Sequence, residues 1–89
     1  MKKPAKNFIV GRIYVNQLDY LNSNIATYFQ FVKIDVVMGG IYFKCVGGFN
    51  GYFQDENGLI GFHYPLCTPR YLLSKKEVSK LQEEGIINI

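Results

Sequence analysis

The sequence predicts a mainly β fold with one C-terminal helix, in which about five strands form a small, strongly curved antiparallel sheet or barrel. Three observations predict it. Stretches rich in β-branched and aromatic residues recur between residues 8 and 64. Glycine pairs and short polar loops separate these stretches. A single segment near the C-terminus carries the signals of a helix. An α+β two-layer arrangement is the alternative.

The predicted strands are identified by composition more than by strict alternation. The longest, residues 25–37, is apolar on both faces in its first half and alternates in its second half. This pattern is typical of a strand that runs from a buried to a half-exposed position. We expect strands over residues 8–15, 25–37, 41–46, 49–54 and 59–64.

The segments between these strands contain residues that favour turns and loops. Residues 16–24 are rich in Asn, Asp and Ser, and we expect a loop there. The glycine pairs at 39–40 and 47–48 predict two tight turns. The prolines within residues 65–69 end the sheet, because proline has no N–H to donate to a neighbouring strand.

The C-terminal helix is the best-specified element of the sequence. Ser74 and Glu77 have the spacing of a capping box at its start. Gly85 is placed to adopt the left-handed conformation that ends many helices, with Ile86 following as the apolar residue of a Schellman motif. We therefore expect a helix over residues 75–84.

The charges of this helix oppose its macrodipole. Lys75 and Lys76 lie at the positive N-terminal end, and Glu83 and Glu84 lie at the negative C-terminal end. Local pairing of Lys80 with one of these glutamates is the simpler interpretation. A charged surface that a partner uses is the other interpretation.

Length and charge predict one domain with a basic tail. A chain of 89 residues is too short for a second core. The net charge of +3 is small, and three of the ten basic residues, Lys2, Lys3 and Lys6, lie in the first six positions. We expect residues 1–7 to form a flexible basic tail and residues 8–89 to form the domain. A basic arm that contacts phosphates is the alternative for the tail.

Cysteine usage and hydropathy predict a cytoplasmic protein. Cys45 and Cys67 are the only cysteines, and they form neither a CxxC motif nor a zinc pattern with histidine. A reducing compartment is therefore favoured. The N-terminus has no apolar segment typical of a signal peptide, and no stretch is long enough to cross a membrane. We expect no metal and no cofactor.

No complete catalytic motif is present. His63 is the only histidine, so catalysis by histidine would have to use it, with Cys67 as nucleophile and Asp55 or Glu56 as orienting group. The spacing of His63 and Cys67, across a strand end and a proline, does not predict that they face each other. We expect a protein that is not an enzyme.

Aromatic residues next to basic ones are the candidates for a binding surface. Such neighbours stack bases or nucleotides on small barrels, although packing in the core explains the same pattern. The candidate binding residues are Tyr42, Lys44, Tyr52, His63, Arg70 and Tyr71.

One segment resembles a known group of proteins. The run Thr27-Tyr28-Phe29-Gln30-Phe31-Val32-Lys33, within residues 24–46, is similar to an aromatic strand of small uncharacterised proteins of phages and mobile elements. Those proteins look like SH3-type barrels. The resemblance implies an SH3-like barrel and a protein that binds a host macromolecule.

The functional expectation is a small non-enzymatic binding module. Its aromatic residues exceed what so small a core can enclose, and aromatic residues are enriched at protein interfaces. We expect the partner to be a host protein or a second copy of the chain. A nucleic-acid or nucleotide-binding barrel and a homo-oligomeric structural protein are the alternatives.

Overall fold

The fold is one antiparallel sheet with a helix packed on one face. The computed structural model describes residues 3–21 and 25–89. Its elements are β1 (Ile13–Val15), α1 (Gln17–Leu21), β2 (Thr27–Asp35), β3 (Gly40–Gly48), β4 (Ile60–Phe62), β5 (Tyr71–Leu72) and α2 (Lys75–Glu83). The strand order is β4-β3-β2-β1-β5. The prediction of a mainly β fold with a C-terminal helix is confirmed.

The sheet is open. β4 and β5 are its edge strands, and within residues 3–21 and 25–89 they do not pair with each other. The prediction of a small antiparallel sheet is therefore confirmed, and the described strands do not close it into the barrel that was offered beside it. The pairing of β2 with β3 shifts register twice, between Tyr28 and Phe29 and between Phe31 and Lys33. Such irregularities increase twist and bend the strands that carry them.

Hydrophobic side chains form two cores, one on each face of the sheet. The core beneath α2, which we call the helix-side core, consists of Ile13, Val15, Ala26, Tyr28, Val46, Leu73 and Ile87, with Tyr71, Val78 and Leu81 packed against it. The opposite core, which we call the loop-side core, consists of Tyr14, Phe29, Phe31, Phe43, Ile60 and Phe62, with Phe8 and Tyr52 among the side chains that cover it. β1 and the first half of β2 are therefore buried on both faces.

The ends of α2 match the sequence signals closely. The Ser74 N–H donates to the Glu77 carboxylate at 2.8 Å, and the Glu77 N–H donates to the Ser74 hydroxyl at 3.1 Å. The Gly85 N–H donates to the Gln82 carbonyl at 3.0 Å, and the Ile86 N–H donates to the Leu81 carbonyl at 2.9 Å. These bonds are the capping box and the Schellman motif, so both predictions are confirmed.

The prediction of a loop after β1 is wrong for residues 17–21, which form α1. The Asn16 side-chain oxygen accepts the Asp19 N–H at 2.8 Å, and the Asn16 carbonyl accepts the Tyr20 N–H at 3.0 Å. Asn16 is thus the N-cap of a short helix. Residues 22–24, the rest of the predicted loop, lie outside the described residues.

Three further predictions of strands and turns are corrected. Residues 49–54 contain no strand, since this segment crosses the loop-side core and places Tyr52 there. Gly47 and Gly48 end β3 instead of forming a separate turn. Residues 71–72, expected only to lead into the helix, form β5 because β1 offers them an unpaired edge.

The two ends of the chain also contact the sheet. The Ala5 N–H donates to the Arg70 carbonyl at 2.7 Å. Ile87 bridges Gly47, and the Asn88 N–H donates to the Val46 carbonyl at 2.8 Å. Buried Ile87 therefore ties the C-terminal segment to β3 and fills the helix-side core.

Gly48 is predicted to be far more sensitive to substitution than Gly85, although both have positive φ, at 76° and 75°. A Cβ at Gly48 would collide with the Ala26 carbonyl, whereas a Cβ at Gly85 would meet open space. We expect Gly48→Ala to lower the free energy of unfolding by about 3 kcal/mol or more and Gly85→Ala by about 1 kcal/mol. Urea denaturation of both variants measures this, and equal losses would contradict the backbone collision.

Candidate functional site

Three of the six predicted binding residues lie near one another on the sheet. Tyr42 and Lys44 lie on the face opposite the loop-side core, because Phe43 between them points into that core. His63 packs edge-on against Tyr42, with ring centroids 6.4 Å apart. The Lys33 ammonium lies 5.5 Å from the centre of the Tyr42 ring. Together these side chains form a small basic surface beyond the part of the sheet that α2 covers.

The other three predicted residues lie outside this basic surface. Tyr52 packs in the loop-side core, 5.1 Å from the Phe29 ring centroid, and burial is the main reason that the pKa of its hydroxyl is raised. Arg70 lines a cavity of about 250 Å³ that His63 also borders. Tyr71 is half-buried and stacks on Tyr20, with ring centroids 6.2 Å apart. The structure therefore does not gather the six residues into one site.

His63 and Cys67 border different cavities. His63 borders the cavity that contains Arg70, whereas Cys67 lies with Leu66 on a separate groove. The Cys67 N–H donates to the Tyr64 carbonyl at 3.1 Å, so a turn over residues 64–67 follows His63. This geometry offers no support for the nucleophile and base pairing considered from the sequence.

A groove lined by leucines lies between α1 and the turn at residues 64–67. Its volume is about 450 Å³. Leu18, Leu21 and Leu66 are 66%, 68% and 90% exposed, although all three are apolar. We call this surface the leucine groove; its lining residues are Asn16, Gln17, Leu18, Leu21, Leu66 and Cys67.

A second cavity, which we call the acidic pocket, lies between α1, the sheet and α2. Its volume is about 360 Å³. Its walls combine apolar side chains, two tyrosines, three carboxylates and one ammonium group. The lining residues are Val15, Asp19, Tyr20, Ala26, Tyr28, Leu73, Glu77, Lys80, Leu81 and Glu84.

Asp19 is the unusual residue of the acidic pocket. It is only 5% exposed, and its Oδ2 atom is buried without a hydrogen-bond partner among the described residues. Burial raises the pKa of its carboxyl above the ordinary 3.8, and a hydrogen bond from the Thr27 backbone opposes this. Tyr28 beside it also has a raised pKa, caused first by burial and then by the charges of Asp19 and Glu84. The pocket therefore concentrates negative charge in an apolar setting.

Sequence reasoning missed the acidic pocket. Its polar residues come from α1, β2 and α2, and no local spacing connects them. One signal was available in the sequence. Asn16 is a favourable N-cap residue, and Asp19, three residues later, places an acid in the first turn of a helix. That signal predicts α1, but it does not predict that Asp19 is buried.

No group of three or more His, Cys, Asp or Glu side chains that could hold a metal ion occurs within residues 3–21 and 25–89. In the same part of the chain, no helix has both the length and the apolar character needed to cross a membrane. No protein-family model, curated protein or solved structure matches the chain.

Replacement of Asp19 is predicted to stabilise the fold at neutral pH. A carboxyl whose pKa is raised by folding destabilises the folded state when ionised, and this penalty is absent below pH 3.8 and grows as pH rises through the folded pKa. We expect Asp19→Asn to raise the free energy of unfolding by about 1 kcal/mol at pH 7, with the difference vanishing in acid. Denaturation at a series of pH values measures it. Glu83→Gln removes an exposed carboxylate of α2 as the control, and a variant less stable than the parent at pH 7 would contradict the prediction.

Proposed function

We propose that the chain is a small non-enzymatic binding module that holds a partner protein in the leucine groove. The observation that carries the proposal is the convergence of three exposed leucines, Leu18, Leu21 and Leu66, on one concave surface. Single exposed apolar residues are common, but apolar side chains gathered in a groove are typical of interaction sites.

The free energy available from burying three leucines limits the affinity of the groove for a partner. Complete burial of a leucine contributes roughly 1.5–3 kcal/mol, whereas association costs about 4–15 kcal/mol. The groove by itself therefore supports a weak complex, and a stable one needs further contact area. Additional exposed apolar residues are available for this purpose; they include Ile25, Phe49, Phe53 and Tyr64.

The distribution of aromatic residues also supports binding. The chain has seven Phe and seven Tyr, of which six are buried, namely Tyr14, Tyr28, Phe29, Phe31, Phe43 and Phe62. Phe53 is 88% exposed and Tyr64 is 73% exposed. These side chains contribute little to either core, and aromatic side chains on a surface are typical anchors of protein interfaces.

The proposed partner is a host protein, as the resemblance of residues 24–46 to small phage and mobile-element proteins implies. A second copy of the chain is the alternative partner. The proposed setting is a reducing cytoplasm, which suits two free thiols, one of them exposed at Cys67.

Binding of nucleic acid is less favoured by the geometry of Tyr42. One side of its ring packs against Gly61, and the Lys33 ammonium lies over the ring. A base needs a free aromatic face on which to stack, and this ring is already contacted by the protein. The basic surface around Lys44 can still attract phosphates.

Leu66→Asp is predicted to abolish partner capture. Leu66 is 90% exposed, so the change should leave stability within about 0.5 kcal/mol of the parent while placing a charge in the groove. The matched control is Val37→Asp, at a residue that is also 88% exposed and that does not line the groove. Quantitative affinity purification from a bacterial lysate compares the three proteins, and light scattering tests for a second copy. Equal capture by the parent and Leu66→Asp would refute the proposal for the groove.

Weak or no salt-dependent binding to single-stranded nucleic acid is also predicted. Fluorescence anisotropy with a labelled oligonucleotide at low and high salt measures it. Tight binding that Lys44→Glu weakens and Leu66→Asp does not would favour the nucleic-acid alternative instead.

A further inference from the structure

One carboxylate oxygen of the acidic pocket, Oδ2 of Asp19, accepts no hydrogen bond from the described residues. Only 5% of the Asp19 surface is exposed, and the Oδ2 atom itself is buried. Buried polar atoms are nearly always paired, because leaving one unpaired costs roughly 1–3 kcal/mol and more when it is charged. An oxygen of this kind that borders a cavity indicates that something else pairs with it.

Within residues 3–21 and 25–89, no group of the protein fills this role. The Thr27 backbone bonds to the Asp19 carboxyl but leaves Oδ2 unpaired. Lys80 lines the same pocket, yet its ammonium does not hydrogen bond to Oδ2. The Glu77 carboxylate accepts the Ser74 N–H as part of the capping box. Three carboxylates and one ammonium around the pocket leave an excess of negative charge.

The walls of the pocket restrict the chemistry of a ligand. The apolar side chains of Val15, Ala26 and Leu81 suit an aliphatic chain, and the rings of Tyr20 and Tyr28 suit a cation next to an aromatic surface. A calcium or magnesium ion would need several oxygen ligands converging on one point, and the described residues contain no group of three metal-ligating side chains. The negative charge and the apolar walls together fit an organic cation.

We propose that the acidic pocket binds an ammonium group carried on an aliphatic stem, with Asp19 Oδ2 accepting its hydrogen bond and Glu84 adding to the negative potential. Such a group is supplied either by a lysine side chain of a partner protein or by a free alkylamine. Burial raises the pKa of the Asp19 carboxyl, and a bound cation opposes this rise because it favours the ionised carboxylate.

This site is separate from the leucine groove. α1 supplies Leu18 and Leu21 to the groove and Asp19 and Tyr20 to the pocket. A partner can therefore use either surface alone. If the leucine groove fails to bind a partner, the test of the acidic pocket is unaffected. Leu66→Asp changes the groove and leaves the acidic pocket intact.

The experiment is a titration followed by two-dimensional NMR of the ¹⁵N-labelled protein. The probe is n-butylammonium, with n-butanol as the neutral control of similar size. We expect saturable shifts of backbone signals around Asp19, Tyr28 and Glu84 with the amine and none with the alcohol at equal concentration. Nα-acetyl-lysine amide is titrated in parallel; tighter binding than n-butylammonium assigns the site to a lysine side chain, and weaker binding assigns it to a free amine.

Two variants and a matched control decide the role of the carboxylates. We expect Asp19→Asn to weaken binding about tenfold or more, because it removes a charge-assisted hydrogen bond. Glu84→Gln, at an exposed position, is expected to weaken binding severalfold and keeps the test valid if Asp19→Asn does not fold. Glu83→Gln changes the net charge equally but does not line the pocket, and its affinity should equal that of the parent. No saturable shifts in the parent, or equal weakening by Glu83→Gln and Glu84→Gln, would overturn the proposal.

Discussion

The short strand β1 is the constraint on which the rest of the structure depends. Its three residues are almost completely buried, because Ile13 and Val15 face the helix-side core while Tyr14 faces the loop-side core. It also pairs along both edges, with β2 on one side and β5 on the other. Complete burial requires that all its backbone groups be paired, which explains why so short a segment as residues 71–72 becomes a strand.

The position of β1 also fixes both candidate surfaces. α1 begins two residues after Val15, and α2 begins three residues after Leu72 of β5. Because β5 is antiparallel to β1, α1 leaves from the C-terminal end of β1, whereas the chain enters α2 beside its N-terminal end, where the Leu73 N–H donates to the Ile13 carbonyl. Both helices border the acidic pocket. Because α1 is a single short turn of helix, it exposes one side to the leucine groove and the other to this pocket. A movement of α1 would therefore change both surfaces together.

The position of Glu84 relates the charge pattern of α2 to the acidic pocket. Glutamates at the C-terminal end of a helix cost a few tenths of a kcal/mol each, since they lie beside unpaired carbonyl groups. Glu84 lies there and borders the acidic pocket, where its charge contributes to the raised pKa of Tyr28. The end of the helix, its last carboxylate and Asp19 all add potential of the same sign. Lys80 borders the same pocket, so its ammonium offsets part of this negative potential.

The sequence by itself determined the features that depend on residues a few positions apart. The start of α2 follows from the reciprocal bonds of Ser74 and Glu77, and its end follows from Gly85, whose N–H donates to the Gln82 carbonyl. The β2–β3 hairpin follows from the apolar strands on either side of a glycine turn. Tertiary structure alone decided which side chains are enclosed. It buried Asp19, drew Tyr52 into a core and left the sheet open, because each of these outcomes depends on contacts between distant segments. Such contacts leave no local spacing in the sequence, and so the candidate sites became visible only when α1, the sheet and α2 were brought together.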